Sequence, residues 1–312
     1  AVYSDIYEPD PTQFKADGHD VHRHYIIHND LAILAALKHM KINPDWISAV
    51  WNFDNTSSML DEDIELSVYV KVLSAIVQGP MGADRMDFTM RDSYYTGTRH
   101  LGTIAHTRII DHARAVKVDQ AWLLTYSAKT LDDMLHALDG RQYMYRNVYL
   151  HKTCIAGSIL IEQIMHNIGK MTDLHSRVMD LDKFLWLTDN IIMEPLIMQC
   201  EDVELLNQTK VLVLRYLKRD LPKLEYEKQL GEYEPYPVVL KTYQGDSDYY
   251  CDITRVINRI DPSMFSKYEI YFTNHKGNVI SCEEALTSIG YSIPQQPYKL
   301  VRVYRITPWI DS

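Results

Sequence analysis

ADRMDFTMRDSYYTG, residues 83–97, is the stretch whose reading decides the fold. Asp84, Asp87 and Asp92 alternate with Arg85 and Arg91 over nine residues, and glycines stand at 82 and 97. On a helix, Asp84, Asp87, Phe88 and Arg91 share one face, with Arg85 and Asp92 beside it. A surface helix with solvated ion pairs would have such a pattern. That is the plainer reading of such a run taken alone; against it stand the flanking glycines and the absence of lysine, the common residue of solvated faces.

Two more clusters lie on either side. In RQYMYRNVYLHK, residues 141–152, Arg141, Tyr145, Tyr149 and Lys152 recur every three or four residues, the spacing of one helical stripe. Arginine and lysine offer donors to phosphate, and tyrosine offers a flat face and a hydroxyl to a sugar. Core packing is the plainer use of such an aromatic stripe. In GHDVHRHYII, residues 18–27, His24 is followed by His28 at the i, i+4 step that metal ligands use, and Asp20 precedes His24 by the same step. Solvated or supporting histidines are the plainer reading here too. No HExxH occurs, which removes a zinc-peptidase reading.

The whole chain has 312 residues, 24% charged and 46% hydrophobic, with 12 glycines and 12 prolines. That composition suits a globular protein and excludes general disorder and collagen-like fibres. A formal charge of −10 disfavours non-specific binding to nucleic acid or to an anionic membrane, both of which need a basic surface. It leaves room for a local basic pocket around a small phosphorylated ligand. No apolar run approaches the roughly 18 residues of a membrane span, and the opening AVYSDIYEPDPTQ lacks the pattern of a signal peptide. Cys154, Cys200, Cys251 and Cys282 lie far apart without CxxC, so reduced thiols in a cytoplasmic compartment are expected.

Helical periodicity is expected from His19 to Leu37, from Trp46 to Trp51 behind an Asn43-Pro44 start, and from Ile64 to Gln78. It recurs over 103–114, in one long run over 128–170, then over Leu181–Gln199 and Val203–Leu217. The opening 1–18 reads as a loop, and 54–58 as a polar break. From Tyr233 onward short apolar alternations appear, with residues 274–278 as a hairpin loop. The expected fold class is mainly α, with a helical body over 1–225 and a small mixed α+β C-terminal subdomain over 226–312.

Taken in order, these three segments resemble the HD-domain deoxynucleoside triphosphate triphosphohydrolases, the dGTPase-like family. That family carries a DRxDYxxRDxxxTG segment followed about fifty residues later by RxxMYxxVYxHK, and GHDVHRHYII resembles its H[ED]xxS segment. FLWLTDNIIM at 184–193 is a weaker continuation. The resemblance implies an HD-type helical body and metal-dependent release of deoxynucleoside and triphosphate from a dNTP. It implies Asp84 as a catalytic residue and the last metal ligand, and His19 as an aid to proton transfer. Arg85 and Arg141 would meet phosphate, Asp92 the sugar 3′-hydroxyl, Tyr149 the underside of the deoxyribose, and Phe88 and Tyr145 would line the pocket. The implied cofactor is a divalent metal (Mg, Mn or Fe), and the implied assembly a homo-oligomer.

Two departures stand out. Phe88 fills a place usually held by Tyr. The first metal-binding His and the His-Asp pair should precede His19, where no histidine occurs, so those ligands are expected from an upstream segment or a companion chain. The alternative expectation is a non-catalytic HD-fold subunit that binds nucleotides for regulation.

Overall fold

The computed structural model describes residues 18–51, 64–118, 121–231, 233–243, 246, 248–256, 262–291 and 298–306. Of the loop expected over 1–18, residues 1–17 lie outside them, as does the polar break at 54–58, while Gly18 already opens a helix. The described residues form two compact units, 18–148 with 262–291, and 149–256 with 298–306. Residues 226–312 therefore supply strands to both.

The first unit opens with α1 (Gly18–Asn29), α2 (Leu31–Met40), α3 (Pro44–Trp51), α4 (Ile64–Gln78), α5 (Ala83–Tyr95) and α6 (His106–Asp111). Their ends follow local chemistry. The Asp30 carboxylate accepts from the Ile33 amide and caps α2. Asn43 accepts from the Asp45 amide at 2.9 Å and Pro44 takes the first turn of α3, as the sequence predicts. Next come β1 (Ala113–Val118), β2 (Ala121–Ser127), a 3₁₀ turn over Ala128–Thr130 and α7 (Leu131–Met144).

The C-terminal part of this unit adds α13 (Pro262–Lys267), β5 (Ile270–Thr273), β6 (Val279–Ile280) and α14 (Cys282–Ser288). Its sheet runs β1-β2-β5-β6, with β2 and β5 parallel and the other two pairs antiparallel. The predicted hairpin is present: Asn274 accepts from the amides of Lys276 and Asn278, and Gly277 supplies the left-handed residue at φ +81°. Leu124 and Tyr126 of β2, Ile270 and Phe272 of β5, Leu131, Met134 and Leu138 of α7, and Leu286 of α14 form the core.

The second unit contains α8 (Lys152–Met171), α9 (Leu174–Met179), α10 (Leu181–Phe184), a 3₁₀ segment over Asp189–Leu196 and α11 (Val203–Lys218). It adds β3 (Lys223–Gly231), α12 (Val239–Tyr243), β4 (Tyr249–Val256) and β7 (Tyr298–Arg305), in an antiparallel sheet of order β3-β7-β4. Val301 and Val303 meet Leu230 and Leu240 on one face of β7, while Tyr304 meets Ala156 and Ile159 of α8 on the other. Mainly helical architecture with a smaller β part is what the sequence predicts.

Four expectations change. The run from His19 to Leu37 divides at Asp30, which caps α2. The helix over 103–114 shortens to α6 because the chain from Ala113 pairs with β2, Ala113 opposite Tyr126. The run over 128–170 is broken by a π turn over Tyr145–Tyr149 and by His151, whose side chain caps α8. The helix over Leu181–Gln199 becomes α10, ending at Phe184, and a 3₁₀ segment over Asp189–Leu196, near whose end Pro195 has no amide for an α-helical ladder.

That 3₁₀ segment is held by Arg177, which donates two bonds of 2.8 Å to Glu194. Hydrogen bonding to Arg177 holds the Glu194 carboxyl below its ordinary value. A depressed acid stabilises the fold above its unfolded pKa, and the contribution is lost as pH falls through the folded value. Arg177→Met is therefore expected to cost about 1 kcal/mol at pH 7. Urea unfolding should show the difference shrinking once the pH drops below the ordinary glutamate range.

Candidate functional site

Helix α5 starts immediately after a tight turn. A Cβ at Gly82 would stand 2.5 Å from the Val77 carbonyl oxygen, so only glycine lets the chain leave α4 and begin α5 there. The inner face of α5 is set by Thr89 and Ser93, both buried, whose hydroxyls donate to the carbonyls of Arg85 and Met90. Met86 and Met90 pack on the core of this unit.

Two further glycines draw α5 and α7 onto the turn between them. A Cβ on Gly102 would collide with the Ser93 side chain and stand 2.6 Å from the Thr89 carbonyl oxygen. One on Gly140 of α7 would run into the Leu101 carbonyl. Thr98 adds a bond from its hydroxyl to the Met144 sulfur at 3.2 Å. Close approach on both sides of residues 98–102 thus fixes the outer face of α5 relative to the last turn of α7.

That arrangement brings Arg141 within 5.8 Å of the Phe88 ring centroid and 5.6 Å of the Tyr145 ring centroid. Both contacts are within cation–π range. Arg85 belongs to the same group. Its guanidinium is pushed below the ordinary arginine value first by burial and then by the positive charge of Arg141, with Tyr268, Tyr145 and Asp84 acting in the opposite sense. Two cations close enough to oppose each other therefore sit together, and one of them, Arg141, lies over two aromatic rings. Neither guanidinium has a hydrogen-bond or ion-pair partner among the described residues. An anion would supply the missing partner, and a phosphate chain matches guanidinium geometry.

The other residues singled out from the sequence are placed as follows. Asp84 is exposed in the first turn of α5, where the helix dipole favours a carboxylate. Asp87 and Arg91 form an ion pair of 2.9 Å with both side chains 61% exposed, the solvated pair of the plainer reading. Asp92 is half-buried beside them on α5. Tyr149, half-buried, ends the π turn and belongs to the second unit. His19 lies in the first turn of α1, and its side chain is outside the described residues.

The histidines of α1 brace α3. His28 Nε2 meets Asp45 at 2.9 Å, His24 Nδ1 meets the Ser48 hydroxyl at 3.2 Å, and the two rings stack 4.1 Å apart. Burial and the neighbouring His28 lower the His24 pKa. Among the described residues no group of three or more His, Cys, Asp or Glu could hold a metal ion. Asp84 alone does not make a divalent-metal site, and the described residues by themselves do not fit one.

Sequence reasoning missed Gly102, Gly140 and Tyr268, which only tertiary packing connects to Arg85 and Arg141. It also missed a cleft of about 720 Å³ in the same unit, lined among others by His112, Arg114, Ser127, Lys129, Asn274 and His275. Its cationic residues sit in strand ends and turns with no helical or metal-ligand spacing to mark them.

No protein-family profile matches the chain. An uncharacterized protein of Mycoplasma pneumoniae is 28% identical over 145 residues, which cover 46% of this chain and 32% of that protein. An uncharacterized protein of Methanocaldococcus jannaschii is 28% identical over 157 residues, again 46% of this chain and 32% of the relative. The chain thus matches about a third of the length of these relatives. Among solved structures, a phosphohydrolase of Bacteroides thetaiotaomicron superposes with TM-score 0.55 at 18% identity, covering 95% of this chain and 82% of its own. A hypothetical protein of Aquifex aeolicus gives TM-score 0.64 at 19% identity, covering 97% of this chain and 74% of its own. The chain shares the fold of these two proteins. No described helix is long and apolar enough to cross a membrane.

Proposed function

We propose that this chain is the nucleotide-reading part of an HD-domain phosphohydrolase that cleaves deoxynucleoside triphosphates to deoxynucleoside and triphosphate. The observation that carries the reading is the opposed pair Arg85 and Arg141, neither hydrogen-bonded nor ion-paired among the described residues, with Arg141 over the rings of Phe88 and Tyr145. The segment patterns around residues 19, 84 and 141 and the fold shared with a phosphohydrolase support it.

In this reading Arg85 and Arg141 hold the triphosphate and offset the charge that gathers on it as the bond between the 5′-oxygen and the α-phosphorus breaks. Asp92 accepts from the 3′-hydroxyl, Tyr149 lies under the sugar and disfavours a 2′-hydroxyl, and Tyr145 and Phe88 wall the pocket. Phe88 gives no hydroxyl contact and instead faces Arg141. His19 assists proton transfer near the scissile phosphate. Asp84 would contribute one carboxylate to a divalent metal (Mg, Mn or Fe), with the remaining ligands supplied by another segment or a companion chain. Self-assembly into a homo-oligomer and a cytoplasmic setting belong to the same reading.

The test is product analysis. The chain combined with the segment or partner that carries the His-Asp pair should convert a dNTP, with Mn²⁺ or Mg²⁺, into deoxynucleoside and triphosphate. Asp84→Asn should reduce that rate by about 100-fold or more. Absence of nucleoside in the complete assembly would sink the proposal.

The exposure of Asp84 and the cleft that carries the cations Arg114 and Lys129 favour one second reading, a non-catalytic subunit that binds nucleotide for regulation. Nucleotide binding without turnover in the complete, metal-loaded assembly would select it.

A further inference from the structure

Strand β7 sends two buried side chains to the backbone that follows Tyr149. Arg302 and Tyr304 stand two residues apart and so share one face of the β3-β7-β4 sheet. The Arg302 side chain is 7% exposed. Its Nε donates to Glu227 at 2.7 Å, and its Nη1 donates to the carbonyl oxygen of Leu150. The Tyr304 hydroxyl donates to the carbonyl of Lys152 at 3.2 Å. Strand register places Glu227 of β3 and Asp252 of β4 directly opposite Arg302 on either side, so the cation stands between two carboxylates.

The segment held this way is a break in the helices. The π turn ends at Tyr149 and α8 starts at Lys152, which leaves the Leu150 carbonyl between two helices. No backbone amide among the described residues bonds to it. An apolar side chain at 302 would pack there without the cost of burying a charge, but it would leave that carbonyl unmet. A guanidinium can fork to a carboxylate and a carbonyl at once, which a lysine ammonium on a flexible stem does not reproduce. The sheet therefore fixes the residue next to Tyr149 by a directional bond as well as by packing.

We propose that Arg302 is a positioning residue for nucleotide discrimination: through the Leu150 carbonyl it sets the pose of Tyr149, and with it the preference for a deoxyribose over a ribose. The inference rests on the proposed role of Tyr149 beneath the sugar. It gives the C-terminal sheet a task in recognition that a purely structural brace would not have.

The experiment measures affinities of the full chain for a deoxynucleoside triphosphate, its ribonucleotide counterpart and inorganic triphosphate, in the wild type, Arg302→Lys and Tyr304→Phe. The wild type should prefer the deoxy compound. Arg302→Lys should cut the deoxy-to-ribo preference about tenfold, the scale of one lost charge-assisted bond, with affinity for inorganic triphosphate unchanged. Tyr304→Phe keeps the ring packing and should lower the preference by a smaller factor, so it remains a test even if Arg302→Lys fails to fold. A preference retained in either folded variant of a discriminating wild type overturns this inference and leaves the proposed function standing. A wild type that binds inorganic triphosphate but does not discriminate overturns the inference together with the role of Tyr149. A wild type that binds neither nucleotide nor triphosphate removes the proposed function itself.

Discussion

Arg141→Gln is expected to weaken binding of inorganic triphosphate by about 10- to 100-fold, the loss of one or two hydrogen bonds to a charged group. The melting temperature of the ligand-free chain should not fall. Both halves follow from one geometry. Arg85 and Arg141 oppose each other, and neither has a carboxylate or carbonyl partner among the described residues. Removing one cation relieves a repulsion in the free protein, offset by two cation–π contacts that lie near the far end of their range. In the complex, the same change removes a donor to the anion. Isothermal titration with triphosphate and a thermal melt check the two halves separately. A stability loss equal to the binding loss would make Arg141 a structural residue.

Gly102→Ala should give the larger structural effect, about 1–3 kcal/mol of lost stability. The added methyl group meets the Thr89 carbonyl and the Ser93 side chain, and a helix backbone cannot step aside as a flexible side chain can. Gly97→Ala is the control. Its Cβ meets nothing within 4 Å, and its cost comes from a φ of +75°, about 1 kcal/mol. Denaturant unfolding should rank Gly102→Ala below Gly97→Ala. Gly102→Ala should also lower triphosphate affinity, because α5 carries Arg85 and α7 carries Arg141, and the turn at 98–102 sets their spacing.

The helical character of this chain is legible because long amphipathic segments keep a 3.6-residue period that short strands do not match. The cap at Asn43 and Pro44 and the turn at 274–278 were legible for a different reason, since their backbone geometry calls for particular residues. Strands β1 and β2 were not legible. They lie between two helices, and β5, the other partner of β2, is more than 140 residues further on in the sequence, so no local period announces the sheet.

The site was partly legible. Spacing alone brings Arg85 and Phe88 together on α5, and Arg141 and Tyr145 together after it. A rule based on four-residue steps carries a stripe straight through Tyr149 to Lys152, whereas the structure has a π turn and a fresh N-cap at His151. The role of Arg302 was hidden by alternation itself. In Leu300-Val301-Arg302-Val303-Tyr304 the valines mark the apolar face, so the intervening arginine reads as solvent-facing, and only the tertiary fold shows that it is buried against the Leu150 carbonyl beside Tyr304, on which α8 packs.

A double-mutant cycle on triphosphate affinity, with Arg85→Gln, Arg141→Gln and the pair together, asks whether both cations grip one anion. The account predicts that the second substitution matters less once the first is made, with a coupling energy of about 0.5–3 kcal/mol between the two positions. Losses that simply add, or affinity that neither substitution changes, would contradict it.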